Sequence, residues 1–506
     1  MSSKIFSAAV VGLDAELVEA EADTGGGEFG KIFLVGLPDK AVTEAKERVR
    51  SAIKNSSFDF PHVSVTVNLA PAYLPKHGPS FDLPIALSIL RKSGFISEKI
   101  SLDDFIFVGE LALSGDLRPI TGALPIALCA KRIGKKFLFL PEENAAEAKL
   151  AREITVIPVK NLYQLVLHLR GEIAIPEFPY RDPELYNVPI EFDMAHVKGQ
   201  EHVKRAMEIA AAGGHNLLMF GPPGSGKTML AKTFPSILPD LAFAEALEVT
   251  KIYSVAGKLK EKNGLIKSRP FRAPHHTASS AALVGGGVQP QPGEISLAHR
   301  GVLFLDEFAE FPRPVLEALR QPLEDGIITV SRAAGHLEFP AKFILIASMN
   351  PCPCGYYGDR NKSCSCSAVQ IQNYRKKISG PIIDRIDMHL EVPRVEFKKL
   401  DEDLPGENSQ VIKKRVARAR EIQAERFKNE KIFTNAEMSS EKARQCCSLN
   451  DEAKKLISAA IDNLNLSARS YFRLLKLART IADLDNQLLI STAHLAEALQ
   501  YREKAD

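Results

Sequence analysis

The sequence has little net charge, no long apolar run and few cysteines, and each shortage restricts the kind of protein it can be. Lys and Arg number 65 against 62 Asp and Glu, a formal net charge of +3, so we expect no strong general attraction to nucleic acid, although a local basic groove stays open. No apolar stretch is long enough to span a bilayer. Because Gly12-Leu13-Asp14 interrupts the short apolar start, we also expect no secretory signal and a cytoplasmic location.

Length and proline content divide the chain into several domains. At 506 residues the chain exceeds what one hydrophobic core supports, and it contains no internal repeat or low-complexity tract. A proline-rich stretch between Ile175 and Pro189 resists both helix and central strand. We therefore predict a first domain at 1–171, a linker at 172–191, a second domain at 192–390 and a helical third domain at 391–506.

The first block mixes strand-like and helix-like segments, which is typical of an α/β or α+β domain. Its predicted strands are 64–69, 105–108 and 137–140, and its predicted helices are 39–53 and 83–92. In the third block, apolar residues at helical spacing predict helices at 468–484 and 492–502.

In the second block, three short apolar runs each end in polar residues. Residues 217–220 lead into a glycine-rich loop, 302–305 into Asp306-Glu307, and 343–347 into Ser348-Met349-Asn350. Strands of this kind that alternate with helices predict a parallel sheet. Ligands bind at the carboxyl edge of such a sheet, so we expect the polar residues to form a site there.

The glycine-rich loop matches the phosphate-binding pattern G-x-x-x-x-G-K-[ST]. Its residues are Gly221, Pro222, Pro223, Gly224, Ser225, Gly226, Lys227 and Thr228. Glycines let the backbone wrap a phosphate with its N–H groups inward, and the helix that follows presents its positive end. We predict ATP as the ligand, with Lys227 on the β- and γ-phosphates and the Thr228 hydroxyl on Mg²⁺.

The carboxylates after the second apolar run complete a hydrolytic set. Asp306 is predicted to hold Mg²⁺ through water, and Glu307 to polarise the attacking water. Either motif alone also occurs by chance in a turn or at a solvated strand end. Together, in this order, they predict an ATPase.

Four of the seven cysteines crowd into one loop, as Cys352-Pro353-Cys354 and Cys364-Ser365-Cys366. In a chain without an export signal this favours metal or free thiols over disulfides. Four thiolates suit one tetrahedral Zn²⁺, but the C-x-C spacing is less specific than the usual C-x₂-C, so free thiols remain the alternative. His275-His276 also suggest a metal, although a structural or channel-lining role is favoured.

Five further stretches match a known family: residues 271–277, 283–287, 292–301, 350–355 and 478–484. With them the chain resembles the magnesium-chelatase-like AAA+ ATPases, and within these the ComM/YifB family, over essentially its whole length. The resemblance implies a multidomain α/β protein, with an AAA+ P-loop α/β core and a helical C-terminal lid.

The resemblance also implies roles for single residues. Asn350 stands at the position of sensor 1, and Arg385 at that of an arginine finger that reaches the neighbouring subunit's nucleotide. Arg469 stands at the position of sensor 2, with Arg473 as its rival. A finger that acts on a neighbour implies a closed ring, and the family expectation is a homo-hexamer.

The N-terminal block resembles the proteolytic domain of Lon in residues 78–80 and 109–120, which implies a Lon-protease-like α+β domain. Ser80 stands in the position of the nucleophile. Leu124 occupies the position of the lysine that would activate it, and a serine without a base is a poor nucleophile. We therefore expect no peptidase activity.

By the same resemblance, the expected function is that of a branch-migration helicase in homologous recombination during natural transformation, with DNA and recombination proteins as partners. A predicted hairpin at 326–342 carries Arg332 near its tip, where it would contact a phosphate. Seven Lys or Arg residues at 413–428 suggest a second basic surface, or only a solvated lid helix. The rival function is an ATPase chaperone that remodels a partner inserting Mg²⁺ into a porphyrin, although the fused N-terminal domain and the lack of an integrin-like domain count against it.

Overall fold

The computed structural model of the chain describes residues 3–25, 30–180, 185–186, 192–259, 264–287, 290–332, 335–359, 362–395, 406–430, 432–464 and 466–502. Within these ranges, no helix is long and apolar enough to cross a membrane. The chain forms two compact units. The first comprises residues 1–186, 243–267 and 287–291, and the second comprises residues 187–242, 268–286 and 292–506.

The N-terminal part of the chain is a mixed α/β structure. Its strands are β1 (Ser3–Val11), β2 (Asp14–Gly25), β3 (Ile32–Val35), β4 (Ser64–Ala70), β5 (Phe105–Phe107), β6 (Glu110–Leu111), β7 (Leu117–Arg118), β8 (Phe137–Pro141), β9 (Thr155–Val159) and β10 (Leu185–Tyr186). Its helices are α1 (Lys40–Asn55), α2 (Asp82–Lys92), α3 (Ala123–Arg132), α4 (Ala145–Lys149) and α5 (Leu162–Leu169). The three strands and two helices predicted for this block are present, each within two residues of its expected ends.

Two sheets organise this first unit. One has the order β1-β2-β4-β3, in which β3 runs parallel to β4 and the other pairs are antiparallel. The other has the order β5-β8-β9 and is parallel. Helix α2 is almost wholly buried, and its Asp82 accepts hydrogen bonds from Arg48 Nε at 2.8 Å and Nη2 at 3.0 Å. Burial raises the pKa of Asp82 to about 6.

The middle of the chain carries the elements of the P-loop region. Its helices are α6 (Glu201–Gly213), α7 (Lys227–Thr233), α8 (Phe243–Val255), α9 (Ser280–Val284), α10 (Glu294–Leu297), α11 (Arg313–Ala318), α12 (Arg320–Asp325), α13 (Ala368–Arg375) and α14 (Gly380–Ile383). Its strands are β11 (Leu217–Phe220), β12 (Leu265–Ile266), β13 (Phe271–Arg272), β14 (Gly285–Gly286), β15 (Gln291–Pro292), β16 (Val302–Leu305), β17 (Ile327–Arg332), β18 (Gly335–Pro340), β19 (Ile344–Met349) and β20 (Met388–Glu391).

A five-stranded parallel sheet forms the centre of the second unit, in the order β13-β16-β19-β11-β20. Strands β16 and β19 are buried along their whole length, which explains why they are unbroken apolar runs rather than alternating ones. The parallel sheet predicted from the sequence is therefore confirmed.

The C-terminal region is helical, as predicted: α15 (Ser409–Arg426), α16 (Ser440–Cys446), α17 (Asp451–Leu464), α18 (Ala468–Leu484) and α19 (Thr492–Gln500). Its apolar residues share one hydrophobic core with α6 and the sheet, including Val416, Ala478 and Ile481 from the lid and Ile209 from α6. This shared core places the helices in the same compact unit as the sheet, and the domain boundary predicted at residue 391 stays a prediction.

Residues 243–267 lie in the first unit, although their position in the chain predicts membership of the P-loop domain. Strand β12 pairs with β10, and the Ser254 hydroxyl donates to the buried Glu147 carboxylate. Burial raises the pKa of Glu147. Within the predicted linker, Ile175 is also buried in the first unit, and residues 181–184 and 187–191 lie outside the described ranges. Contacts between residues distant in sequence decide both placements.

Candidate nucleotide-binding site

The predicted site residues meet at the carboxyl edge of the parallel sheet. Strand β19 lies between β11 and β16, so the ends of all three strands are neighbours. Gly221 follows β11, Asp306 follows β16 and Asn350 follows β19. The sheet order therefore explains why residues more than a hundred positions apart in sequence lie at one site.

The glycine-rich loop has the backbone shape that its composition predicts. Gly224 has φ +77° and Gly226 has φ +87°, in the left-handed region that glycine adopts without strain. A Cβ on Gly221 would lie 2.1 Å from the Val392 carbonyl oxygen, so this position needs glycine for close packing. Helix α7 begins at Lys227, immediately after Gly226.

Lys227 is held inside the loop. Its Nζ donates hydrogen bonds to the carbonyls of Gly221 at 2.7 Å and Pro222 at 3.1 Å, and to Asn350 Oδ1 at 3.4 Å. Burial lowers the pKa of Lys227 below its ordinary value. A phosphate in the loop would favour the charged ammonium, because an opposite charge stabilises it.

Thr228 and Asp306, the two predicted magnesium ligands, are in direct contact. The Thr228 hydroxyl donates to Asp306 Oδ2 at 2.7 Å, and the Ser348 hydroxyl donates to Asp306 Oδ1. The backbone N–H of Glu307 donates to the same Oδ1 at 3.0 Å. The sequence assigns no role to Ser348, yet here its hydroxyl orients the carboxylate.

Glu307 has an unusual backbone and an unexpected partner. Its φ of +53° lies in the left-handed region, which is uncommon for a residue other than glycine. Its Oε2 lies 3.0 Å from His276 Nδ1. The structural, channel-lining and metal-binding roles considered for His276 from the sequence did not include this contact with Glu307, the predicted catalytic base.

The arginines form a second cluster around Glu324 on α12. Arg385 Nη2 donates to Glu324 Oε2, and Arg469 Nη2 donates to Glu324 Oε1 at 2.7 Å. Arg473, the rival to Arg469, donates instead to the Ile386 carbonyl at 2.8 Å. The structure therefore brings Lys227, Thr228, Asp306 and Asn350 together and places Arg385 and Arg469 around another carboxylate.

A cavity of about 370 Å³ adjoins the loop, within the size range of small-ligand pockets. Its wall includes Gln200, whose Nε2 donates to the Ser225 carbonyl at 3.0 Å and the Pro393 carbonyl at 2.9 Å. Sequence reasoning missed this wall, because its residues form no motif. The available signal in the sequence was the glycine before Gln200, which marks a turn just before α6 begins.

The four loop cysteines converge. Their Sγ atoms all lie within 4.8 Å of one another, with Cys352 at 3.3 Å from Cys354 and 3.7 Å from Cys364. The backbone N–H of Cys354 donates to Cys366 Sγ at 3.4 Å. No disulfide joins them.

The predicted hairpin is present as β17 and β18, which pair from Ile327↔Pro340 to Arg332↔Gly335. The Arg332 side chain and residues 333–334 lie outside the described parts of the chain. Gln321 on α12 anchors the hairpin, because its Nε2 donates to Thr329 Oγ1 at 3.0 Å.

The basic lid helix α15 is largely committed to contacts within its own unit. Lys413 pairs with Asp240 at 2.9 Å, and Arg426 pairs with Asp483 at 2.6 Å. Arg415 pairs with Glu208 and Glu407, and Arg420 donates to the Ala211 carbonyl. These contacts favour the structural alternative for this helix over a free basic surface.

Comparison with known proteins finds matches in both units. Residues 18–144 match subunit ChlI of Mg-chelatase, 193–400 match magnesium chelatase subunit ChlI, and 406–502 match the C-terminal region of that subunit. The chain is 45% identical over 504 residues to competence protein ComM of Haemophilus influenzae, covering 98% of this chain and 97% of the relative. It is 43% identical over 502 residues to the uncharacterized protein YifB of Escherichia coli, covering 99% of this chain and 97% of the relative.

A more distant match is the magnesium-chelatase 38 kDa subunit of Cereibacter sphaeroides, 25% identical over 176 residues, which are 32% of this chain and 53% of the relative. The parallel sheet, its P-loop and the helical C-terminal region agree with an AAA+-like magnesium-chelatase fold. The chain therefore belongs to the ComM/YifB family of magnesium-chelatase-like proteins.

Proposed function

We propose that the chain is an ATP-hydrolysing, ring-forming AAA+ motor that migrates branched DNA in homologous recombination during natural transformation. The division of its site residues into two clusters carries the proposal. Lys227, Thr228 and Asp306 form a phosphate and magnesium site, whereas Arg385 points to a different carboxylate. An arginine from a neighbouring subunit would complete such a site, and a closed ring supplies one.

The residues at the sheet edge suit ATP and Mg²⁺. The Thr228 hydroxyl and the Asp306 carboxylate are oxygen donors of the kind that Mg²⁺ prefers, and they already lie 2.7 Å apart. Mg²⁺, when bound, neutralises charge on the phosphates. Lys227 binds the phosphate oxygens, Glu307 orients the water and accepts its proton, and Asn350 positions the γ-phosphate.

The neighbouring subunit's nucleotide is the proposed target of Arg385. Charge on the transferred phosphoryl group spreads over three oxygens, and a planar guanidinium binds two of them at once. A finger that acts in trans makes the assembled ring, proposed as a homo-hexamer, the active form.

DNA is proposed as the substrate because a relative that matches over almost the whole chain is named a competence protein. The hairpin of β17 and β18 supplies the candidate contact, with Arg332 near its tip for a backbone phosphate. In this proposal, ATP turnover moves the hairpin along a strand.

The test is ATP turnover with and without DNA. The ATPase rate should rise with single-stranded or branched DNA, and labelled Holliday or D-loop substrates should be resolved only with ATP. Unchanged turnover and no branch migration would show that the motor proposal is wrong.

A chelatase-type chaperone is the second candidate, since residues 193–400 match a magnesium chelatase subunit. It predicts that turnover responds to a protein partner rather than to DNA. Adding branched DNA and, separately, a clarified lysate depleted of nucleic acid to the ATPase assay distinguishes the two functions.

We also propose that Cys352, Cys354, Cys364 and Cys366 hold one Zn²⁺. With Zn–S distances of about 2.3 Å, a tetrahedron separates its sulfurs by about 3.8 Å. The sulfurs of Cys352, Cys354 and Cys364 lie 3.3, 3.6 and 3.7 Å apart in pairs. Zinc would hold the loop that follows Asn350, and hence the position of that sensor.

For the first unit we propose a Lon-like fold without peptidase activity. Ser80 is half-buried in the middle of the turn Pro79–Phe81, and Leu124, in the position of the activating lysine, is fully buried in α3. Casein cleavage that Ser80→Ala abolishes would overturn this proposal.

A further inference from the structure

Glu324 binds two arginines from distant parts of the chain. Arg385 follows α14 and Arg469 lies in the first turn of α18, and each donates to a different oxygen of the Glu324 carboxylate. Arg385 Nη1 also donates to the Pro381 carbonyl at 2.6 Å. The three side chains form one hydrogen-bonded set, and its central member, Glu324, lies on α12, the helix that also anchors the hairpin.

Two guanidinium groups on one carboxylate lie close together and repel each other. The negative charge of Glu324 offsets this repulsion, and Arg385 in turn lowers the pKa of that carboxyl. Few other hydrogen bonds fix the direction of Arg385. Although its side chain is only 13% exposed, its buried Nε has no hydrogen-bond partner among the described residues. Its direction therefore depends on Glu324 and on the Pro381 carbonyl.

We propose that Glu324 is a positioning residue. It holds Arg385, with Arg469 braced beside it, in the direction from which Arg385 reaches the neighbouring subunit's nucleotide. This inference rests on the proposed function, because it assumes that Arg385 acts in trans. Positioning of this kind matters for turnover because a displacement of about 1 Å in a catalytic group can cost about 10²-fold in rate.

The first experiment separates turnover from binding. Glu324→Gln keeps the shape of the side chain and removes its charge, so kcat should fall by roughly 10- to 100-fold while the KM for ATP stays unchanged. The matched control is Asp325→Asn, which removes the neighbouring exposed carboxylate of the same helix and should keep the parent kcat. An unchanged kcat for Glu324→Gln would contradict the proposal.

The second experiment mixes subunits. Glu307→Gln subunits lack hydrolysis but keep their arginines, whereas Glu324→Gln subunits keep their own site but misplace the finger. Mixed rings should therefore recover ATP turnover, at interfaces where a Glu307→Gln subunit supplies Arg385 to a Glu324→Gln subunit. Recovery also shows that the Glu324→Gln subunit is folded.

Two reference mixtures make each failure interpretable. Arg385→Ala with Glu307→Gln should recover turnover, and if it does not, the trans finger itself is wrong. If that mixture recovers and Glu324→Gln with Glu307→Gln does not, the positioning role of Glu324 is wrong. Glu324→Gln with Arg385→Ala should not exceed the residual turnover of Glu324→Gln alone, because both changes damage the same side of the interface.

Discussion

Single side chains at the sheet edge lie where their motif places them, and they have partners that the motif does not contain. The contacts of Lys227 and of Thr228 with Asp306 agree with a phosphate and magnesium site. The partners of Glu307 and Asp306 could not be inferred, because His276 contacts Glu307 from a turn after β13 and Ser348 contacts Asp306 from β19. Short motifs identify the groups that do chemistry, whereas their orienting partners depend on the fold.

Glu307→Gln should bind ATP with parent affinity and lose turnover by about 10²–10⁴-fold, since the amide cannot accept a proton from water. Fluorescent-nucleotide binding and phosphate release are the measurements. Glu310→Gln, which removes a carboxylate that pairs with Lys377 on the exposed surface, is the control and should keep its activity. Parent-level turnover in Glu307→Gln would exclude Glu307 as the base.

Arg385→Ala should leave ATP binding intact and reduce turnover by about 10³–10⁵-fold, the range typical of an arginine finger. Arg385→Lys keeps the charge but cannot bind bidentately, so only part of the rate should return. Loss of nucleotide affinity in the Arg385→Ala subunit would indicate that Arg385 serves its own nucleotide instead.

Strands and helices follow the local pattern closely. The strand Leu217–Phe220 and the helix Ala468–Leu484 have the predicted ends, because continuous apolar runs and helical spacing are local signals. The hairpin of β17 and β18 was also predicted, from a turn between two apolar stretches. The convergence of four cysteine thiols, in contrast, required the loop to fold back on itself.

Arg332→Ala should weaken DNA binding for all sequences alike and lower the slope of log affinity against log salt concentration by about 1, as expected for one lost phosphate contact. ATP turnover without DNA should not change. Arg418→Ala, on the exposed face of α15, is the comparison. If Arg418→Ala changes the slope and Arg332→Ala does not, DNA follows the lid helix rather than the hairpin.

Purified protein should contain one zinc per chain by elemental analysis, and Cys364→Ser should lower that content, since tetrahedral zinc needs all four thiolates. Cys129→Ser, which changes a buried thiol of α3, is the control and should keep the metal. Protein purified without chelator that holds no zinc would contradict the metal site.

The two compact units do not coincide with the three sequence blocks. Shared packing joins the lid helices to the parallel sheet, and residues 243–267 fold with the N-terminal unit. In the second unit, burial lowers the pKa of His389 on β20 to about 4.

His389 should make the second unit less stable in acid. Because its folded pKa is depressed below the unfolded value of about 6.5, the unfolded chain binds more protons as the pH falls through this window. The free energy of unfolding should then fall by about 2 kcal/mol between pH 7 and pH 5 from this residue alone. Urea unfolding at both pH values measures it, and His389→Gln should remove that part of the pH dependence; an unaltered dependence would show that other groups cause it.

The family, the P-loop, the acidic pair after β16 and the helical C-terminal region all follow from the sequence, because each rests on residues close together in the chain. The tertiary structure decided which residues surround them: Ser348 on Asp306, His276 on Glu307, and Glu324 between Arg385 and Arg469. Such contacts join residues tens to more than a hundred positions apart. Only sheet order and helix packing bring them together, since no local pattern encodes which distant side chains meet.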